Sequence, residues 1–210
     1  MKFSEMPYQR PDTDAVIREI QDLTARLKNA QSYEEARGVF LEYEEKSKAV
    51  DTTITLSYIR HSIDTRDEFY KEENDFWDEV TPEMEEYEQE WIKTLVDSPF
   101  RKDFEREYGD LLFLNAEIAR KTFSPEIVED MQKENELVSK YDELIASAQV
   151  PFEGGVYTLS QLEPFQDDLD DDRRLAAWKA EGQWYKEHQP ELDRIYDELV
   201  KLRDAMGRKL

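Results

Sequence analysis

Two histidines, a run of five aspartates and several paired glutamates are the residues of this 210-residue chain whose types could do chemistry. His61 lies four residues after Ser57 and three before Asp64, a spacing that puts all three on one face of a helix. A histidine beside a carboxylate could carry protons in acid–base work. The favoured reading is structural, with the imidazole capping a helix end or bonding a neighbour; no role is assigned to Arg60 beside it. His188, among Lys186, Glu187, Gln189 and Pro190, reads as solvent-exposed rather than as a ligand. The two imidazoles stand 127 positions apart, and neither has a second histidine four residues on, so the case for a metal is weak.

The run Asp167-Asp168-Leu169-Asp170-Asp171-Asp172 invites a calcium reading. A calcium loop of the helix–loop–helix type needs alternating ligands, a central glycine and a distal bidentate glutamate, and here Arg173 and Arg174 stand where the glycine belongs. Acidic residues favouring the positive end of a helix dipole explain the run better. Between Arg66 and Glu90 twelve acidic residues face two basic ones, Arg66 and Lys71. Pairs such as Glu72-Glu73 and Glu85-Glu86 point in different directions on a helix, so a solvated face outweighs a hydrolytic pair. The same face could line an electronegative channel for cationic peptide ends. Trp77, Trp91, Trp178 and Trp184 read as core. Gly154-Gly155 lacks the lysine and hydroxyl residue of a phosphate loop, and Gly-x-Ser-x-Gly is absent. No catalytic, cofactor-binding or metal residue is assigned to any position.

Composition narrows the partners. Fifty-one acidic against 28 basic residues give a net charge of −23, which repels phosphate backbones and argues against nucleic acid. Without cysteine, thiolate catalysis, disulfides and cysteine-held zinc are excluded. Residues 1 to 10 lack the apolar core of a secretory signal, and no apolar run reaches the roughly 18 residues of a membrane span. A cytoplasmic protein with no membrane partner is expected. At 39% hydrophobic and 12% aromatic, the chain suits long helices that each bury one stripe in a shared core.

The pattern predicts a mainly all-α array. Asp12 or Thr13 opens a helix striped by Val16, Ile20, Leu23 and Leu27. Ser32 and Glu35 form a capping-box pattern for a helix reaching about Ile63, despite the β-branched run Thr52 to Thr55. Thr65 and Glu68 cap the next, which Pro82 either restarts or kinks. Ser98-Pro99 begins a short helix ending at Gly109, another covers about Asp110 to Lys121, and Ser124-Pro125-Glu126 opens a long one. Residues 149–159, with two apolar runs around Gly154-Gly155, predict one small β-hairpin. Ser160 and Glu163 cap a brief helix, and a last helical region starts near Asp170, where Pro190 could kink or split it. The amphipathic pattern still runs at Leu210, as in a chain that continues.

Met1 to Tyr8, Ser57 to Tyr70, Asn74-Asp75-Phe76, Ser98 to Arg101, Asn115 to Ala119, Lys121 to Glu126, Leu144 to Gln149, Leu159 to Leu162 and Ala177 to Gly182 resemble, in order, the N-terminal part of the oligoendopeptidase F family of zinc metallopeptidases, which are thimet-oligopeptidase-like. The resemblance implies a helical enzyme in two halves around a channel for short peptides, with zinc held by His-Glu-x-x-His and a later glutamate. That motif is missing here. Residues 1–210 are then expected to form one helical, non-catalytic channel wall, with a sub-boundary near 98–110 and residues 190–210 beginning the catalytic portion. The zinc and the peptide-cutting groups belong to a missing C-terminal half, the expected partner. Its loss predicts an exposed apolar patch above about 600 Å². The alternative is a stand-alone helical binding or scaffold module that kept the fold without the enzyme.

Overall fold

A computed structural model describes residues 2–210. Within it, eight α-helices and one two-stranded antiparallel sheet follow a short 3-10 turn at Phe3–Glu5. Helix α1 (Thr13–Asn29) is capped by the Asp12 carboxylate, which accepts from the Ala15 N–H at 3.0 Å. Helix α2 (Tyr33–Ile63) starts where Ser32 Oγ accepts from the Glu35 N–H. Its β-branched stretch is helical, and there the Thr52 and Thr53 hydroxyls donate back to the Lys48 and Ala49 carbonyls.

Helix α3 (Glu68–Val96) is capped by Asp67, not Thr65: one Asp67 oxygen accepts from both the Phe69 and Tyr70 N–H groups. Pro82 does not restart this helix, which runs as one element through it. Proline removes the bond to the Asp78 carbonyl and crowds that turn. Helix α6 (Val128–Ala146) supplies replacements: Asn135 Nδ2 donates to the Asp78 carbonyl at 3.1 Å, and Gln132 Nε2 donates to the Glu79 carbonyl at 2.7 Å. The Thr81 hydroxyl also donates to the Trp77 carbonyl. We expect Asn135→Ala to lower stability by about 1 kcal/mol, the size of one buried backbone acceptor left unpaired. Urea unfolding of the variant measures it, and an unchanged midpoint would remove this role for Asn135.

Helix α4 (Arg101–Tyr108) ends at Gly109, whose φ of 86° only glycine adopts without strain. Helix α5 (Leu111–Ala119) follows, then a 3-10 turn at Pro125–Ile127, capped by Ser124, leads into α6. Strands β1 (Val150–Phe152) and β2 (Gly155–Tyr157) form the expected hairpin. Its two-residue turn is Glu153-Gly154, both with positive φ (47° and 79°), rather than the glycine pair. Gly155 instead opens β2, where an added Cβ would lie 2.7 Å from the Tyr157 ring. Helix α7 (Leu159–Gln166) is capped by Thr158 and Gln161, not Ser160 and Glu163. Helix α8 (Asp171–Lys209) runs unbroken through Pro190.

Helix α3 is the central strut, packed by α1 and α2 on one side and by α6 on another, while α8 packs on α6, α7 and the hairpin. One core joins α1–α5 around Leu23, Phe40, Trp91, Phe104 and Phe113. A second gathers Val150, Leu162, Ala177 and Trp184 beneath the hairpin, and a third seals α6 on α8 through Leu137, Ile195 and Leu199. Trp178 departs from its expected place in the core: it is 55% exposed on α8.

Candidate functional site

His61 ends up where α2, α3 and α6 meet, only 5% exposed. The fold, and not the local spacing, chooses its carboxylate partner. Asp64 lies past the end of α2 and receives the Arg66 guanidinium at 2.9 Å. Glu143 of α6 instead places its Oε1 3.4 Å from His61 Nε2 and accepts from the Lys71 ammonium of α3 as well. Glu143 therefore ties three helices together, and its partnership holds the Lys71 ammonium above its ordinary pKa. Ser57 does share the buried face of His61, but Ser57 Oγ and His61 Nδ1 have no hydrogen-bond partner among the described residues. Ser57 is fully buried and makes no hydrogen bond to His61, so the paired, accessible hydroxyl of a Ser–His nucleophile is not formed here.

One turn away, Asp78 Oδ2 accepts from Ser139 Oγ at 2.5 Å and from Asn74 Nδ2 at 3.2 Å. Burial raises the pKa of Asp78, and those donors only partly offset it. Two openings flank this cluster and share Ser139 and Glu143. One, about 450 Å³, is lined by Tyr58, His61, Asp142 and Thr158; the other, about 580 Å³, by Lys71, Asp75, Asp78 and Glu136. Carboxylates outnumber ammonium groups among the residues lining the two openings, although Lys133 and Lys140 join Lys71 there, and apolar groups such as Ile63 and Leu159 line the first.

Behind them the N-terminal segment is bound down by charge. The buried Glu73 carboxylate accepts from Tyr8 Oη at 2.5 Å and from Arg10 Nε and Nη2 at 2.9 and 2.6 Å. Trp77 Nε1 donates to the Tyr8 hydroxyl, and the Arg10 guanidinium stacks over the Phe76 ring at 3.9 Å. Arg60 gains a plain structural role: it donates to Tyr70 Oη and to the Met6 carbonyl, at 2.6 and 2.5 Å.

The remaining candidates are absorbed by the fold. His188 is half-buried, not exposed; its ring stacks on Trp184 at 4.2 Å and its Nδ1 pairs with the Trp184 carbonyl. In the aspartate run, Asp170 caps α8 by accepting from the Asp172 and Arg173 N–H groups. Arg173 joins Asp168 to Glu153 of the hairpin. Among the described residues no group of three His, Cys, Asp or Glu side chains is arranged to hold a metal ion, so the zinc implied by the resemblance fits no cluster here. Glu73 is buried and not on the solvated face expected of the Glu72-Glu73 pair, and its pairing, like that of Glu143, escaped sequence reading because the partners lie more than 60 positions away.

The family model of the peptidase M3 N-terminal domain matches residues 3–123. Three solved structures align over essentially the whole chain. PZ peptidase A with an inhibitor is 42% identical, with a TM-score of 0.94 over 99% of this chain and 37% of its own. A proposed oligoendopeptidase F is 42% identical, with a TM-score of 0.95 over 100% of this chain and 37% of its own. A proposed oligoendopeptidase F from Bacillus anthracis str. Ames is 41% identical, with a TM-score of 0.95 over 100% of this chain and 38% of its own. No curated protein matched the sequence. The chain thus spans little more than a third of the solved proteins it matches. With a family match over more than half its length and identity above 40% to peptidase structures, the chain belongs to the M3 peptidase N-terminal domain family, as an oligoendopeptidase F-like N-terminal portion.

Proposed function

We propose that residues 1–210 form one wall of the substrate channel of a zinc metalloendopeptidase acting on short peptides, without contributing a catalytic group. The observation that carries this is the likeness at 41–42% identity to peptidases whose own chains are more than twice as long. Zinc and the general base belong, in this reading, to a C-terminal portion that residues 190–210 of α8 begin. Side chains along α8 support such a partner: Leu175, Trp178, Tyr196 and Val200 are each at least half exposed. Helical spacing puts these four on one side of α8, where a covering portion would take them out of water. No helix among the described residues is long and apolar enough to cross a membrane.

A chimera tests the proposal. Residues 1–210 replace the matching portion of one of the related solved peptidases, and hydrolysis of fluorogenic short peptides is measured. Turnover within about tenfold of the parent, equivalent to roughly 1.4 kcal/mol in the barrier, is expected. A folded chimera that retains zinc but neither binds nor cuts peptides would refute the channel-wall role.

A further inference from the structure

A further opening, sharing no lining residue with the two beside His61 and Asp78, is bordered on α3 by Met84 and Glu88. Near Val50 the helices α1, α2 and α3 diverge and leave a groove of about 170 Å³. Its walls are Val16, Ile20, Leu23, Val50 and Met84. The Tyr43 ring also lines it, held by stacking on Trp91 at 4.0 Å and 12°. Its polar lining residues are Tyr43 and Glu88, both half-buried, with Glu19, Lys46, Ser47 and Asp51 beside them. Neither the Tyr43 hydroxyl nor the Glu88 carboxyl hydrogen-bonds to another group among the described residues; only burial and nearby charges act on them.

That is unlike the other buried carboxylates of α3. Glu73 is held by Tyr8 and Arg10, and Asp78 by Ser139 and Asn74. A half-buried carboxylate with no protein donor, in a groove open to solvent, offers its oxygens to an external donor. The charges around the groove fix the sign of that donor. Glu19 from α1, Asp51 from α2 and Glu85 from α3 are acidic, and the one cation lining the groove, Lys46, is already held by Glu19 at 2.8 Å. Glu85 accepts from Gln89 Nε2, which leaves Glu88 as the free acceptor. Size fixes the rest: an apolar cavity of about 150 Å³ takes a benzene ring.

We propose that this groove binds a primary ammonium ion on a small apolar body of about phenyl size, the ammonium donating to the Glu88 carboxylate and the Tyr43 hydroxyl while the ring lies against Ile20, Leu23 and Met84. The site is independent of the peptide channel. Burial, then the charges of Glu85 and Asp51, raise the Glu88 carboxyl to about 7. A cation arriving beside it favours the ionised form, so binding near neutral pH releases a proton.

The test uses the 210-residue chain and two probes of one shape, phenethylammonium and the neutral 2-phenylethanol. The Glu88 carboxyl carbon is followed by NMR at pH 7, and Trp91 emission reports the groove. Saturable amine binding at about 1 mM or tighter is expected. It should come with a downward shift of the Glu88 pKa, and the alcohol should bind at least about tenfold more weakly, a difference of roughly 1.4 kcal/mol. Glu88→Gln should lose the same factor while keeping the wild-type melting profile, and Tyr43→Phe, which keeps the stack on Trp91, should weaken the amine selectively. Equal binding of amine and alcohol, undiminished amine binding by Glu88→Gln, or no saturation by about 20 mM amine would each overturn the proposal.

Discussion

Phe104→Ala is expected to destabilise the protein by about 4 kcal/mol, the range for a buried phenylalanine that leaves a cavity behind. Phe104 is fully buried and central to the core of α1–α5. Its ring meets Tyr33 edge-on at 5.1 Å and Phe40 at 5.4 Å, so the loss removes aromatic contacts as well as area. The eight-residue α4 that carries it has no side-chain cap at its start and is too short to stand alone. Packing of Phe104 is what keeps that helix in place. Against a total stability of about 5–15 kcal/mol, such a loss would move the denaturant midpoint far. A cost under about 1 kcal/mol in urea unfolding would show that the core of α1–α5 does not depend on this ring.

The second large effect is expected from Arg10→Ala. It leaves the Glu73 carboxylate buried with Tyr8 as its remaining charge-assisted donor. Breaking a fully buried pair costs about 3–5 kcal/mol, but the Arg10 side chain is 39% exposed, so about 2 kcal/mol is expected at pH 7. The sign with pH follows from the direction of the shift. Arg10 holds Glu73 below its usual value of 4.5, and burial opposes that. The native state therefore binds this proton less readily than the unfolded chain. The stabilisation is fully present above about 4.5 and is lost as pH falls below it. Wild type and variant should consequently converge as the pH is lowered from 7 toward 3.5 in urea titrations. A difference that stays constant over that interval would mean that Arg10 acts through its packing on Phe76 and not through charge.

What was readable in the sequence followed from local physics. Ser32 and Asp170 cap the helices that their spacing announces, because an N-cap bond spans only two or three residues, whereas Ser124 caps the 3-10 turn that leads into α6 and not α6 itself. The misassigned caps at Thr65 and Ser160 arose where two competent residues stand within one turn, and backbone geometry chose Asp67 and Thr158. The continuity of α3 through Pro82 was not legible, since its repair comes from Gln132 and Asn135, about 50 residues on. The site divides the same way. Ser57 and His61 do share a face, as helical spacing requires, but no local rule selects Glu143 over Asp64. Trp178 illustrates the converse: its spacing suits a buried stripe, yet α8 is too long for the hairpin, α6 and α7 to cover every apolar side chain on it.

One measurement bears on the central claim most directly: zinc content by mass spectrometry after gel filtration, together with cleavage of a short fluorogenic peptide, on the purified 210-residue chain. No stoichiometric zinc and no turnover above the metal-free blank are expected, since no group of three His, Cys, Asp or Glu side chains among the described residues is arranged to hold a metal ion. One zinc per chain with peptide hydrolysis that a chelator abolishes would contradict the claim.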